Sequence, residues 1–529
     1  MNLDLLKLPD DAAGLKEIIA FHLNQQEKFQ ERIDYLEQMV RLLQKELFGR
    51  KSEKHILPDH EQRQLFDPVE EPESNRQALE EKIVIPEHTR KKQGRKPLPA
   101  DLPRVDVIHD IPEEEKQCDC GATLSCIGQD VCEKLDYVPA RLRVIRHIRY
   151  KYACKSCEGV ESEGPTVKIA PPPVQLIPKS IATEGLIAHL IVSKFADGLP
   201  LYRQQKIFGR LGIDLSRATM ANWVINAARH CQPLIELLQE EIRSGPLINI
   251  DETPYQVLNE PGRHNTSKSY MWVFKGGQEN SPALLYQYHR TRSGEAALNF
   301  LGNYQGYVQS DAFSGYECLS EKKGITHMGC WAHARRNFVN VIKAKKKNRS
   351  KQIQPKSLAD EALEFIGRLY QIEKEANIKN LEPIQIYQLR QEKAKPVLEA
   401  FKTWLIAKHQ ITPPKGLLGK AINYTLNHWG KLIVYIEDGR LRPDNNAAEN
   451  AIRPFVLGRK NWLFAGHPNG AEAGATFYSL VETAKANGLE PYNYLRYIFE
   501  KLPLAQTDQD YKYLMPQFVD KKDLTSSLP

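Results

Sequence analysis

The strongest constraint on this chain is a change of hydrophobic period at Pro246. Residues 180–230 carry helical signals alone, whereas the pattern beyond Pro246 turns to short strands. Residues 247–250 form an apolar run closed by Asp251. Residues 270–275 and 283–289 have strand composition, and 293–301 read as a helix. A strand is expected at 306–309, with Asp311 just past it, and another at 325–330, before a helix that holds His333, Arg335 and Arg336. The order is three strands, helix, strand, helix, strand, helix.

That order fits an RNase-H-like α/β domain, in which the first three strands form a meander. Asp251 and Asp311 then end neighbouring strands. A phosphodiester resists attack because it is already anionic, and two divalent cations about 3.5–4 Å apart can stabilise both the attacking and the leaving oxygen. Magnesium, or manganese in its place, wants hard oxygen ligands, so such a site needs carboxylates. A third acid should come from a later helix. Between His333 and Gly439 lies a helix-rich stretch too long for a loop, with Lys343, Lys345, Lys346, Lys347, Arg349 and Lys351. After it, Asp444 or Asn445 can cap a helix on which Glu449 and Arg453 stand four apart. Glu449 is the third ligand candidate, and Arg453, Arg459, Lys460, Arg335 and Arg336 are candidate contacts to a DNA backbone. Taken singly, each acid has a plain structural reading as a turn or surface residue; their placement at three points of one fold is what argues for chemistry.

Upstream, Leu15, Ile19, His22, Gln26, Phe29, Ile33, Leu36, Val40, Leu43 and Leu47 keep a 4-3 spacing. Such a seam suits a coiled coil between protomers, the alternative being a helix packed on its own chain. An acidic stretch then gives way to Arg90, Lys91, Lys92, Arg95 and Lys96 beside Gly94 and Pro97. This segment can lie along phosphates or in a minor groove, or be a solvated linker. Six of the nine cysteines follow within forty residues. In a reducing compartment that clustering favours a metal over disulfides. Cys118, Cys120, Cys154 and Cys157 are the best tetrahedral zinc ligands, with Cys126 or Cys132 able to substitute in the tight first pair. Residues 141–153 alternate, with Leu142, Val144, Ile148, Tyr150 and Tyr152 on one side and Arg141, Arg143, His147, Arg149 and Lys151 on the other. A strand with a basic face is expected there, paired with 133–138. Helices near 183–195, 202–211 and 216–228 resemble a helix-turn-helix, which would present Arg217, Thr219 and Asn222 to DNA; an ordinary helical bundle is the alternative.

The expected organisation is therefore a zipper helix (1–58), an acidic then basic linker (59–104), a zinc-binding β module (105–170) and a helical DNA-binding domain (171–245). A split catalytic core (246–342 and 437–487) follows, holding a helical insertion (343–436), with a C-terminal element at 488–529. A net charge of +7 over 529 residues is modest, so the placement of the basic residues matters more than their sum. There is no apolar run of about 18 residues and no signal-like N-terminus, so a cytoplasmic protein without membrane spans is expected.

Several long blocks resemble insertion-sequence 66 family transposases: NIDETP, QSDAFSGY, GCWAHARRNF and DNNAAENAIRPFVLGRKNWLFAG, with LFGRKSEK, GRKPLPADLPR and LDYVPARLRVIRHIRYKYACKSC upstream. The resemblance covers nearly the whole chain. It implies cut-or-copy transposition on element ends by an Asp-Asp-Glu triad, which falls on Asp251, Asp311 and Glu449. It also implies terminal inverted repeats and target DNA as partners, homo-oligomerisation through the zipper, and helper proteins of the same element. Cys330 and His333 fall in a C-x2-H block and are expected to be structural. Rival readings are a zinc and helix-turn-helix regulator with an inactive body, or another nuclease on the same fold.

Overall fold

The structure is a computed structural model and describes residues 12–48, 142–153, 167–278, 280–344 and 356–526. The chain divides into two compact units, one of Lys54–Pro172 and one of the remainder. In the larger unit the first element is α1 (Ala12–Phe48). Its later turns lie on the chain's own helices: Arg41 Nε donates to the Ala344 carbonyl at 3.0 Å, and Lys420 Nζ donates to the Tyr35 hydroxyl at 2.8 Å. Leu42 is buried by this packing, while Ile19, Phe29, Ile33, Leu36, Val40 and Leu43 of the 4-3 seam stay exposed. The later turns of the helix thus follow the second sequence reading, a helix packed on its own chain.

In the Lys54–Pro172 unit, β1 (Lys151–Ala153) pairs antiparallel with β2 (Val167–Ile169). The strand expected over 141–153 is confined to those three residues. Alternation gives a strand its two faces, but a strand forms only where a partner completes the ladder, and residues 142–150 have no regular structure. The expected partner at 133–138 lies outside the described residues. So do Arg95, Lys96, Arg141 and the candidate zinc ligands Cys118, Cys120, Cys154 and Cys157.

The larger unit resumes with α2 (Glu184–Phe195), α3 (Leu201–Arg210), α4 (Arg217–His230) and α5 (Gln232–Ser244). Thr183 and Ser216 cap α2 and α4, each accepting a bond from a backbone N–H of the first turn. A mixed sheet follows, built of β3 (Leu247–Val257), β4 (Lys268–Gln278), β5 (Ser281–His289), β6 (Gly306–Gln309) and β7 (Ile325–Met328) in the order β5-β4-β3-β6-β7. The first three are antiparallel; β3, β6 and β7 are parallel, connected through α6 (Glu295–Leu301) and α7 (Glu317–Glu321). Asp251 was expected to close its strand and instead lies within β3, because β4 goes on pairing through Gln256 after β6 has stopped.

α8 (Trp331–Ala344) leads into α9 (Leu358–Ile378), α10 (Pro383–Leu389), α11 (Lys395–Ile411), α12 (Leu417–Asn427) and α13 (Trp429–Ile433). These helices carry their own aromatic centre, in which Trp331 meets Trp429 edge-on at 6.0 Å and Phe401 packs against both. The chain returns to the sheet with α14 (Asn446–Trp462), a short β8 (Phe464–Ala465) beside β3, and α15 (Pro468–Ala486). It ends with α16 (Pro491–Lys501), α17 (Asp508–Tyr513) and α18 (Lys521–Ser526). α15 is buried along most of its length and covers the β5 edge of the sheet. There the Thr483 and Ser479 hydroxyls accept the Leu284 and Tyr286 N–H groups that no further strand would satisfy. One apolar core runs from Leu176 to Leu524, so the boundary expected at 245 falls inside a shared core.

Candidate active site

Side chains alternate along β3. Ile248 and Ile250 point to one face, fully buried, and Asn249, Asp251, Thr253 and Tyr255 point to the other, against α14. Tyr255 packs edge-on to Phe455 and Trp462, and Arg459 donates to the Thr253 hydroxyl at 3.3 Å. On the parallel side Asn249 is paired with Gln309. Asp251 and Asp311 each lie two residues past this last pair, at the carboxyl end of the β3–β6 ladder, where the Asp311 charge acts on Asp251. In open α/β sheets, crevices for ligands form at such ends.

Glu449 arrives from a distant part of the sequence through a chain of buried amides. Asn249 Nδ2 donates to Gln309 Oε1 and to Asn445 Oδ1, each at 2.9 Å. Asn445 Nδ2 donates to the Ile250 carbonyl at 2.9 Å, and the Asn445 N–H donates to Cys330 Sγ at 3.2 Å. Gln309 Nε2 in turn holds the Gly329 and Arg442 carbonyls. Of the two expected caps of α14, Asn445 stands at the N-cap position but its side chain makes no cap bond and is held by the sheet, while Asp444 accepts the Asn446 N–H. The start of α14 is thereby fixed to β3 and β6, and Glu449 stands in its first turn.

The cluster is electrostatically frustrated. The Asp251 carboxyl is pushed up to about 7, first by burial and then by the charges of Glu252, Glu449 and Asp311. Glu252, buried on the opposite face, is itself raised by burial; the Tyr316 hydroxyl and the Arg292 guanidinium, which both donate to it, oppose that rise. Arg292 stacks 3.7 Å over the Phe313 ring and comes within 3.9 Å of Asp311. Glu449 has His333 Nε2 on one oxygen and Arg336 Nη2 on the other, both at 3.7 Å. Its Oε1 is buried without a hydrogen-bond partner. Within the trio of Asp251, Asp311 and Glu449, Arg292 and Arg336 reach only Asp311 and Glu449, at 3.9 and 3.7 Å, and the gathered hard oxygens fit a divalent cation.

The structure thus brings Asp251, Asp311 and Glu449 together. Cys330 and His333 sit beside Glu449, and a Cys330 sulfur, a His333 ring nitrogen and a Glu449 oxygen lie within 4.8 Å of one another. Of the candidate DNA contacts, Arg143, Arg149, Arg217, Asn222, Arg336, Arg453 and Lys460 are exposed. Arg335, Thr219 and Arg459 are half-buried, and Arg459 also lies against Phe455. Sequence reasoning missed Glu252, Arg292 and Tyr316, and the amide chain through Asn249 and Gln309. Only the adjacency of Glu252 to Asp251 could have flagged one of them.

The fold and site define an α/β protein with three convergent carboxylates at the end of a parallel strand pair. Residues 179–473 match the family model described as Transposase IS66 family. Residues 35–107 match that of Transposase C of IS166 homeodomain, 115–158 the zinc-finger binding domain of transposase IS66, and 479–517 the IS66 C-terminal element. The chain belongs to the IS66 transposase family. Uncharacterized protein y4jD of Sinorhizobium fredii is 36% identical over 78% of this chain and 79% of its own. Uncharacterized protein y4qI of the same organism is 30% identical over 92% and 89%. Family membership implies DNA binding, and the zinc-finger match spans all four expected zinc ligands. No helix among the described residues is long and apolar enough to cross a membrane.

Proposed function

We propose that this chain is a DNA transposase in which Asp251, Asp311 and Glu449 hold two magnesium or manganese ions for cleavage at element ends and strand transfer into target DNA. The observation that supports the reading is the β3–β6 ladder ending at Asn249 and Gln309, two residues before Asp251 and Asp311, together with the Asn445 clasp at the start of the helix that carries Glu449. The strand order also supports it. Numbered within the sheet it is 3-2-1-4-5, with an antiparallel 1-2-3 meander and parallel 1-4-5 strands, the order expected of an RNase-H-like core.

When bound, the ion pair supplies charge neutralisation on the attacking and leaving oxygens of an in-line displacement. The protein's part is positional. The amide chain around Asn445 sets the three carboxylates before substrate arrives, so little reorganisation is left for the reaction itself. Arg292, near Asp311, lowers the repulsion inside the cluster while it waits. Arg336, Arg453 and Lys460, exposed on or near α14, supply charge for the phosphates flanking the scissile bond. Water attacks first and frees a 3′-hydroxyl, which then attacks target DNA at the same carboxylates.

The remaining modules take the binding roles. Cys118, Cys120, Cys154 and Cys157 hold zinc; Arg95, Lys96, Arg141, Arg143 and Arg149 contact the terminal repeats; and α4 reads them through Arg217, Thr219 and Asn222. The exposed seam of α1 pairs protomers so that two ends meet. Helper proteins of the same element join as partners in this scheme, and the work is done in the cytoplasm. The test is Asp251→Asn in a nicking and joining assay on element-end DNA. Chemistry should vanish with end binding intact; equal loss of both would make Asp251 structural. Nicking without any joined product would identify a simple hydrolase instead.

A further inference from the structure

Beside the hard carboxylates lies a ligand set of different chemistry. We propose that Cys330, His333 and Glu449 form a binding site for a thiophilic divalent ion of zinc's class. Cys330 directly precedes α8 and His333 is the third residue of that helix, so the C-x2-H spacing places both on one face of its first turn. Glu449 faces them from α14, with His333 Nε2 3.7 Å from its Oε1. The three ligand atoms lie within 4.8 Å of one another. A tetrahedral zinc ion with bonds of about 2.0–2.3 Å needs ligands roughly 3.3–3.6 Å apart, so closure by about 1 Å completes the set.

Two further observations point to an ion. Glu449 Oε1, the oxygen that faces His333 Nε2, is buried and has no hydrogen-bond partner, whereas buried polar atoms ordinarily find one. The Asn445 N–H already donates to Cys330 Sγ, the kind of support that orients a thiolate ligand. Magnesium has little use for sulfur, so this set selects a softer ion than the neighbouring aspartates do. On binding, the hydrated ion exchanges three waters for the three side chains, and the Cys330 thiol releases its proton to solvent as the sulfur–metal bond forms. The fourth position stays open. The ion then shares the Glu449 carboxylate with the site of Asp251 and Asp311. The inference rests on the ligand geometry alone and stands whether or not the chain cuts DNA.

The experiment uses the full chain, loaded with cobalt(II) in the presence of excess magnesium and freed of unbound ion by gel filtration. Bound cobalt is counted by mass spectrometry in the wild type, Cys330→Ser and His333→Gln. Each variant should carry one ion fewer per chain than the wild type, and Cys330→Ser should also lose part of the sulfur-to-cobalt absorption. His333 is half-exposed, so His333→Gln decides the matter if the buried serine variant fails to fold, as judged by circular dichroism. The same cobalt content in the wild type and His333→Gln overturns the site.

Discussion

Asp251 shows what a cluster of acids does to its own fold. Its carboxyl rises from an ordinary 3.8 to about 7, so the folded state favours the protonated form. The stability this group contributes is complete below about pH 4 and is lost as pH climbs through 7. Asp251→Asn should therefore raise the melting temperature of the metal-free protein at pH 8. The gain should shrink toward zero near pH 4, as calorimetry in a chelator would record. A gain that does not change with pH would mean that burial and neighbouring charge are not its cause. Asn445 works in the opposite sense, because it satisfies the backbone and side chains around it. Asn445→Ala leaves the Asn249 amide and the Ile250 carbonyl short of partners, a loss of about 1–3 kcal/mol. Cleavage should fall at least tenfold while end binding is retained, since Glu449 loses its fixed starting point; unchanged cleavage would remove the clasp from the mechanism. The three acids stood out in the sequence by their placement, after an apolar run, just past an expected strand and near the start of an expected helix. The buried amides did not, because an Asn in a strand carries no sign of a partner some two hundred residues away.

At the scale of elements, α14 must seat closely on α15 to carry Glu449. Gly458 marks that approach: a Cβ there would lie 2.3 Å from the Tyr478 hydroxyl, and Tyr478 is fully buried between Phe195, Tyr286 and Phe455. Gly458→Val should destabilise by about 1–3 kcal/mol and depress cleavage along with the melting temperature. In α1 the exposed seam is the element to test. Leu36→Glu together with Val40→Glu should lower the mass measured by light scattering and leave the core's melting temperature in place; an unchanged mass would assign the seam another task. The regular elements around the sheet were legible from their period and caps, as Ser216 at the start of α4 illustrates. The strand expected over 141–153 misled because alternation reports only how side chains would face, and the pairing partner decides where a ladder forms.

For the whole molecule, the separation of Lys54–Pro172 from the remaining core predicts a selective response to metal removal. A zinc chelator should weaken binding to element ends while the main melting transition of the larger unit shifts little. Joint collapse of both would show that the core depends on the zinc segment. The molecule's domain organisation was only partly legible. A long helix-rich stretch between His333 and Gly439 reads as an insertion because nothing else accommodates its length. That the preceding helices share one core with the sheet cannot be seen in a pattern confined to each segment, since such packing is decided by which apolar faces meet.

The third acid stands 138 positions after the second, beyond the whole set of helices α8 to α13. A ribosome therefore makes α2 to α5 long before the residue proposed to arm the cutting centre, and longer still before α15 and α16, which complete the core of those helices. A chain ended early, by a nonsense codon or a protease, would lack the third acid and also the packing that holds the helical segment. Such a fragment is expected to unfold instead of lingering as a rival to intact copies.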